Sequence, residues 1–200
     1  MNQVPREVTI GKWIGEGWKM VQVNFWDFVL FTLIYVLIIG VIKEVGIFLT
    51  GPLTYSYFYI ILQRMRGERF DIGHLAKGFY NFVPAFLAGL LIGLFSFLGL
   101  FLCIIGMFVV WGMYSFTYLL MIEKNLGFWE AMEESRKIIW PNIAGFTLLS
   151  LVGGLLLFLG FMMCCIGMLV TIPIYYCTVA CAYRDWVGLT ESAPVATPVS

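Results

Sequence analysis

The positions of ionisable residues along the chain predict its elements. Gly78 to Ile122 runs 45 residues without Asp, Glu, Lys or Arg, and Ile138 to Tyr183 runs 46. A third stretch, Phe28 to Gln63, is interrupted only by Lys43 and Glu44. An isolated charge at the centre of a bilayer costs about 2.5 to 3.5 kcal/mol on insertion scales, so these stretches mark what hydrocarbon accepts. At about 1.5 Å per residue, a single helix of 45 residues would be near 70 Å long, roughly twice the 30 Å hydrocarbon thickness. Each stretch therefore predicts a helical hairpin, turning near Cys103 to Gly106 and near Cys164 to Gly167, with Lys43 and Glu44 at the tip of the first. The expected fold is all-α: a polytopic membrane protein of about six transmembrane helices in three tandem hairpins.

The segments between these stretches predict amphipathic surface helices. Ile72, Leu75, Ala76 and Phe79 recur at i, i+3, i+4 and i+7, with Asp71 available as N-cap. Phe128, Trp129, Met132, Ile139 and Trp140 form a stripe opposite Glu130, Glu133, Glu134 and Lys137, and Ile10, Trp13, Ile14 and Val21 begin another. Such stripes suit the headgroup boundary. Asn24, Asn81 and Asn142 fall where each surface helix turns toward the membrane, a place for an amide that caps or bridges backbone groups. The chain divides into an amphipathic segment 1–23, a six-helix membrane domain 24–187 and a tail 188–200 whose composition reads as disordered.

Composition and charge placement add orientation. Apolar residues make up 61% and charged residues 12%, about half the charged share of soluble domains. Of the twelve Lys and Arg, only Lys43 falls at a hairpin tip. The positive-inside bias puts the opposite, charged side and both termini in the cytoplasm. Trp13, Trp18, Trp26, Trp129, Trp140 and Trp186 gather at that inner boundary, and Trp111 falls within a span. Residues 1–20 carry Arg6, Glu7, Lys12, Glu16 and Lys19 and show no signal-peptide core, so the first spanning helix is expected to direct insertion.

An internal repeat is expected as well. Displaced by 61 positions, Phe79 to Lys124 matches Trp140 to Asp185 at 15 of 46 residues. The matches include Asn81 with Asn142, Phe97-Leu98-Gly99 with Phe158-Leu159-Gly160, and Ile105-Gly106-Met107 with Ile166-Gly167-Met168. The first hairpin joins through Asn24 and Tyr55-Ser56, giving units at about 10–64, 70–124 and 128–185.

Gly17-Trp18 followed by Asn24, then Gly51-Pro52-Leu53, and Glu130-Ala131 with Ser135 resemble bacterial six-helix integral membrane proteins of unknown function. That group is similar to the membrane domain attached to some glycerophosphoryl diester phosphodiesterases. The resemblance spans most of residues 10–187 and implies a helical protein of the bacterial inner membrane. It implies no phosphodiesterase activity, because the hydrolase domain, with its metal-binding carboxylates and paired histidines, has no counterpart in this sequence.

Candidate chemistry is sparse. His74 is the only histidine, which excludes a two-histidine metal site within the chain. The five cysteines, Cys103, Cys164, Cys165, Cys177 and Cys181, lack zinc-site spacing and read as small buried hydrophobes, with a bridge between tip cysteines left open. No phosphate-binding, dinucleotide or hydrolase motif occurs, so no cofactor, nucleic acid or enzymatic role is expected. Glu130 and Glu134 are helical neighbours on a solvated face. No ionisable residue lies at membrane depth, Asp27 being nearest, which argues against proton-coupled transport.

The second helix of each hairpin is the more polar, through Tyr55 and Ser56, Tyr114, Ser115 and Thr117, and Tyr175 and Thr178. These hydroxyls either line a ligand cavity or supply hydrogen bonds between helices. The leading functional expectation is a non-catalytic membrane module. Its cytoplasmic collar, with Trp13, Trp18, His74, Trp129, Glu130 and Glu134, would engage lipid headgroups, a partner protein or a second copy. The alternative is a passive carrier or channel for a neutral or amphipathic solute between the polar helices. A lipid enzyme borrowing Asp27, His74 or the glutamates is the least favoured reading.

Overall fold

The structure is a computed structural model that describes residues 8–41, 43–68, 80–102, 104–163 and 166–189. Among the described residues all regular structure is helical. The predicted helix around Ile72 to Phe79, His74, the tip cysteines Cys103, Cys164 and Cys165, and residues 190–200 lie outside the described residues.

The first helix, α1 (Ile10–Val23), turns by 96° into α2 (Phe25–Val41) at Asn24. The Asn24 side chain does not cap α2; its Nδ2 donates back to the Met20 carbonyl of α1 at 3.3 Å. Then come α3 (Lys43–Met65), α4 (Phe82–Leu102), α5 (Ile104–Met113) and α6 (Thr117–Lys124). The chain continues through α7 (Phe128–Ile139), a 3-10 turn at Trp140–Asn142, α8 (Ile143–Met162) and α9 (Ile166–Trp186). Asn24, Asn81 and Asn142 each stand immediately before an apolar helix. α6 ends on Asn125, whose left-handed φ of 51° suits an asparagine C-cap. α7 then starts at Gly127, with Glu130 reaching back to the Gly127 amide.

The long helices form three antiparallel pairs. Thr32 meets Tyr57 across α2–α3, Phe95 meets Tyr114 beyond the α4–α5 turn, and Gly153 lies against Tyr175 across α8–α9. Glycines set two of the crossings. A Cβ on Gly99 would lie 2.8 Å from the Gly106 carbonyl, and one on Gly167 would lie 2.9 Å from Gly160 Cα. Ala85 and Gly89 of α4 pack on Gly51 of α3, whereas Gly93 has open space before it.

α3, α6 and α9 occupy the middle. Leu53, Tyr57, Ile61, Phe116, Leu119, Ala180 and Tyr183 are at most 1% exposed. α4 and α8 turn Leu90, Leu94, Phe97, Leu151, Leu155 and Phe158 outward, an arrangement suited to lipid and costly in water. Three stretches have the length and apolarity of a membrane crossing: Phe82–Leu100, Ile104–Lys124 and Phe128–Met162. Counting the bent α1–α2 pair makes four. Within the longest, the ionic residues all belong to α7, leaving α8 as the apolar part. α3 and α9 are 23 and 21 residues long; their Tyr, Thr and Ser face protein, so they need less apolar surface.

The amphipathic stripe of α1 points inward, against the expectation of a headgroup contact. Trp13, Gly17 and Val21 are buried against α9. α7 divides its stripe: Met132 and Ile139 are buried, while Trp129 and Trp140 are each 60% exposed.

Candidate functional site

The turn between α5 and α6 shapes the interior. Ser115 N–H donates to the Gly112 carbonyl and Thr117 N–H to the Tyr114 carbonyl, i+3 bonds that tighten the backbone where α-helical bonds would otherwise continue. The Met113 carbonyl loses its helical partner and accepts instead from Ser135 Oγ of α7 at 2.8 Å. The break holds because Phe116, just past it, is fully buried against Phe146 and Tyr183. Sequence reasoning missed this junction. The available signal was Ser135 itself, a polar residue four positions after Ala131 on the apolar face of α7.

Beside this break lies a cavity of about 840 Å³. Its wall comes from Tyr35 of α2, Thr50, Thr54 and Phe58 of α3, and Phe86, Gly89, Gly93 and Ser96 of α4. Trp111, Tyr114, Ser115 and Tyr118 of the broken helix and Met168, Ile172, Tyr175 and Tyr176 of α9 complete it. Its volume is within the roughly 300–1,000 Å³ of small-molecule sites. Among the described residues no Asp, Glu, Lys, Arg or His lines it. Leu90, Gly93 and Leu94 at its margin are exposed on α4.

Three of the seven sequence-predicted cavity residues, Tyr114, Ser115 and Tyr175, do line this space. The other four lie elsewhere. Tyr55 accepts a hydrogen bond from Asn81 Nδ2 at 3.1 Å, joining α3 to the start of α4. Ser56 Oγ donates to the Pro52 carbonyl at 3.1 Å and Thr178 Oγ1 to the Ile174 carbonyl at 2.7 Å, within their own helices. Thr117 is fully buried and its hydroxyl has no partner among the described residues. Thus the hydroxyl rows divide between packing and lining. Tyr35, on the lining side but on the first helix of its hairpin, was not predicted.

The opposite pole of the bundle, away from the hairpin turns, is ionic. Lys12 Nζ and Trp13 Nε1 donate to Asp185 Oδ2 at 2.8 and 3.1 Å, and Arg184 pairs with both Glu16 and Asp185. Partial burial opposes ionisation of Asp185, which lies beyond the last uncharged stretch. The hydrogen bonds from Lys12, Arg184 and Trp13 outweigh that burial and hold its carboxyl below the usual range. Asp27 pairs with Arg64, and Glu123, its side chain fully buried, pairs with Arg66. On α7, Arg136 bonds Glu133 through two nitrogens, at 2.9 and 2.7 Å, and holds that carboxyl low.

The predicted collar residues are divided. Trp13 is 1% exposed, covered by Phe146 and Trp186, and so has no outward face. Trp18, Trp129 and Glu130 are exposed. Glu134 pairs with Lys124 at 3.4 Å. Among the described residues no cluster of three His, Cys, Asp or Glu has the arrangement to hold a metal ion. No protein-family model, curated protein or solved structure matches the chain, which leaves its own geometry as the ground for a functional reading.

Proposed function

We propose that the chain is a six-span, non-catalytic protein of the bacterial inner membrane, with both termini cytoplasmic, that binds a neutral or amphipathic molecule in its central cavity. The uncharged 840 Å³ space at the meeting of α2, α3, α4, α5–α6 and α9 carries this reading. A charged solute there would lose its hydration without gaining a counter-ion, whereas an uncharged one meets apolar surface and hydroxyls. The inward turn of the α1 stripe favours the cavity over the collar as the working surface.

The six-span topology is supported by three antiparallel pairs whose ion pairs, among the described residues, gather at the pole away from the turns. The repeat is supported by the two glycine crossings, since Gly99 and Gly106 stand 61 residues before Gly160 and Gly167. The likeness of Gly17-Trp18, Gly51-Pro52-Leu53 and Ser135 to the bacterial six-helix group agrees with this placement.

Gly93 offers a clean test, because it lies at the cavity margin and a Cβ there would meet no atom within 4 Å. Gly93→Phe fills the space without forcing the backbone. Lipid extracted from protein purified in mild detergent and counted by mass spectrometry should show a retained molecule in the native chain and none in the variant. Equal retention would contradict the cavity as the binding site. For topology, a cysteine at position 105 should react with an impermeant reagent from outside the cell, and one at position 137 from inside only.

A further inference from the structure

The cavity has a polar spot that the protein itself leaves unsatisfied. Ser115 Oγ is buried and has no hydrogen-bond partner among the described residues. Tyr118 and Tyr175 are 8% and 6% exposed and also line the space. Their rings pack on Phe58 and Trp111 at 6.3 and 5.8 Å, and among the described residues nothing hydrogen-bonds to their hydroxyls. Some interior hydroxyls are paired, Thr32 with Tyr57 and Tyr55 with Asn81, whereas Thr117 and Thr171, away from the cavity wall, are buried without a partner among the described residues. A buried hydroxyl left without a partner costs about 1–3 kcal/mol. The buried Ser115 hydroxyl, with those of Tyr118 and Tyr175 on the same cavity wall, points to a ligand that supplies the missing bonds.

Resting on the cavity reading above, we infer that Ser115, Tyr118 and Tyr175 hold the polar end of an uncharged lipid whose head carries hydroxyl or ester oxygens, a lipid of diacylglycerol type. The hydroxyls both donate and accept, which suits a head with alcohol and carbonyl oxygens. A phosphate head would be buried with no cation among the described wall residues to neutralise it. Most of the remaining wall is apolar, including Phe58, Phe86 and Ile172, and suits acyl chain. Leu90, Gly93 and Leu94 leave a margin open on the outward face of α4, through which the chains pass into the surrounding lipid.

The test uses the full chain in nanodiscs, with two photoactivatable probes that share acyl chains: a diacylglycerol and the corresponding phosphatidic acid. Diacylglycerol should crosslink to cavity residues, compete with unlabelled diacylglycerol, and label at least about tenfold more than phosphatidic acid. Ser115→Ala, Tyr118→Phe and Tyr175→Phe keep shape and remove hydroxyls. Each should weaken labelling roughly threefold to tenfold, the equivalent of one net hydrogen bond, with thermal unfolding unchanged or raised. Equal labelling by phosphatidic acid, or full labelling of the triple variant, overturns the head-group assignment and leaves the cavity reading standing. Absence of cavity labelling by either probe in the native chain overturns both.

Discussion

Two glycines on one helix turn separate close packing from helix propensity. Gly15 and Gly17 both lie inside α1. A Cβ on Gly15 would have no atom within 4 Å, whereas one on Gly17 would lie 2.9 Å from Thr178 Oγ1, 3.0 Å from Thr178 N and 3.2 Å from the Ile174 carbonyl. Alanine at either site gains about 1 kcal/mol of helix propensity. At Gly17 that gain is opposed by an overpacking cost of about 1–3 kcal/mol, because two of the three obstructing atoms are α9 backbone. Gly15→Ala should therefore stabilise the protein, and Gly17→Ala should be about 1–3 kcal/mol less stable than Gly15→Ala. At roughly 2–4 °C per kcal/mol for a chain of this size, thermal unfolding in nanodiscs followed by tryptophan fluorescence resolves the two. Trypsin cleavage at Lys12, whose side chain is half exposed, should also quicken in Gly17→Ala as α1 lifts from α9. Equal shifts in both variants would refute the argument that α1 is seated on α9 through Gly17.

Ser135→Ala removes the donor to the Met113 carbonyl and should cost about 1–3 kcal/mol in thermal unfolding; a neutral result would mean the α5–α6 break does not need α7. Arg66→Ala strips a cation from the fully buried Glu123 and should cost about 3–5 kcal/mol, with Arg66→Met plus Glu123→Leu recovering most of it; a double variant no better than the single would contradict the pair as drawn. The folded Asp185 carboxyl titrates below its unfolded value of about 3.9, so its contribution is complete above that pH and is lost as pH falls through the folded value. Release of α1, read from Trp13 fluorescence, should accordingly begin only below about pH 4, and Asp185→Asn should remove that response.

The helical pairs were legible because ionic residues are excluded from hydrocarbon, and the uncharged stretches are too long for single helices. In the two later stretches the glycines that flank the turns, Gly99 with Gly106 and Gly160 with Gly167, let the paired helices approach closely. The cavity was half legible. Polarity identified the right helices, but adjacent residues such as Tyr55, Ser56 and Tyr57 point about 100° apart, so one row cannot all face one space. The break at Tyr114 to Phe116 carries no proline, and its cause is tertiary: the pocket that holds Phe116 and the hydroxyl of Ser135. The inward stripe of α1 was ambiguous for a related reason. An apolar face with Trp13 and Val21 suits a headgroup layer or a neighbouring helix equally, and Gly17 at its centre was the residue that told them apart.

The central claim is that a membrane-embedded bundle of helical hairpins closes around an uncharged, lipid-sized space. A density map of the full chain in a lipid nanodisc addresses the bilayer position and the cavity together. The account predicts a lipid belt around α4 and α8, with the Lys12–Asp185 and Arg66–Glu123 pairs at one edge of that belt. It also predicts elongated density running from Ser115 toward Gly93. A collapsed cavity, or a belt centred on those ion pairs, would contradict it.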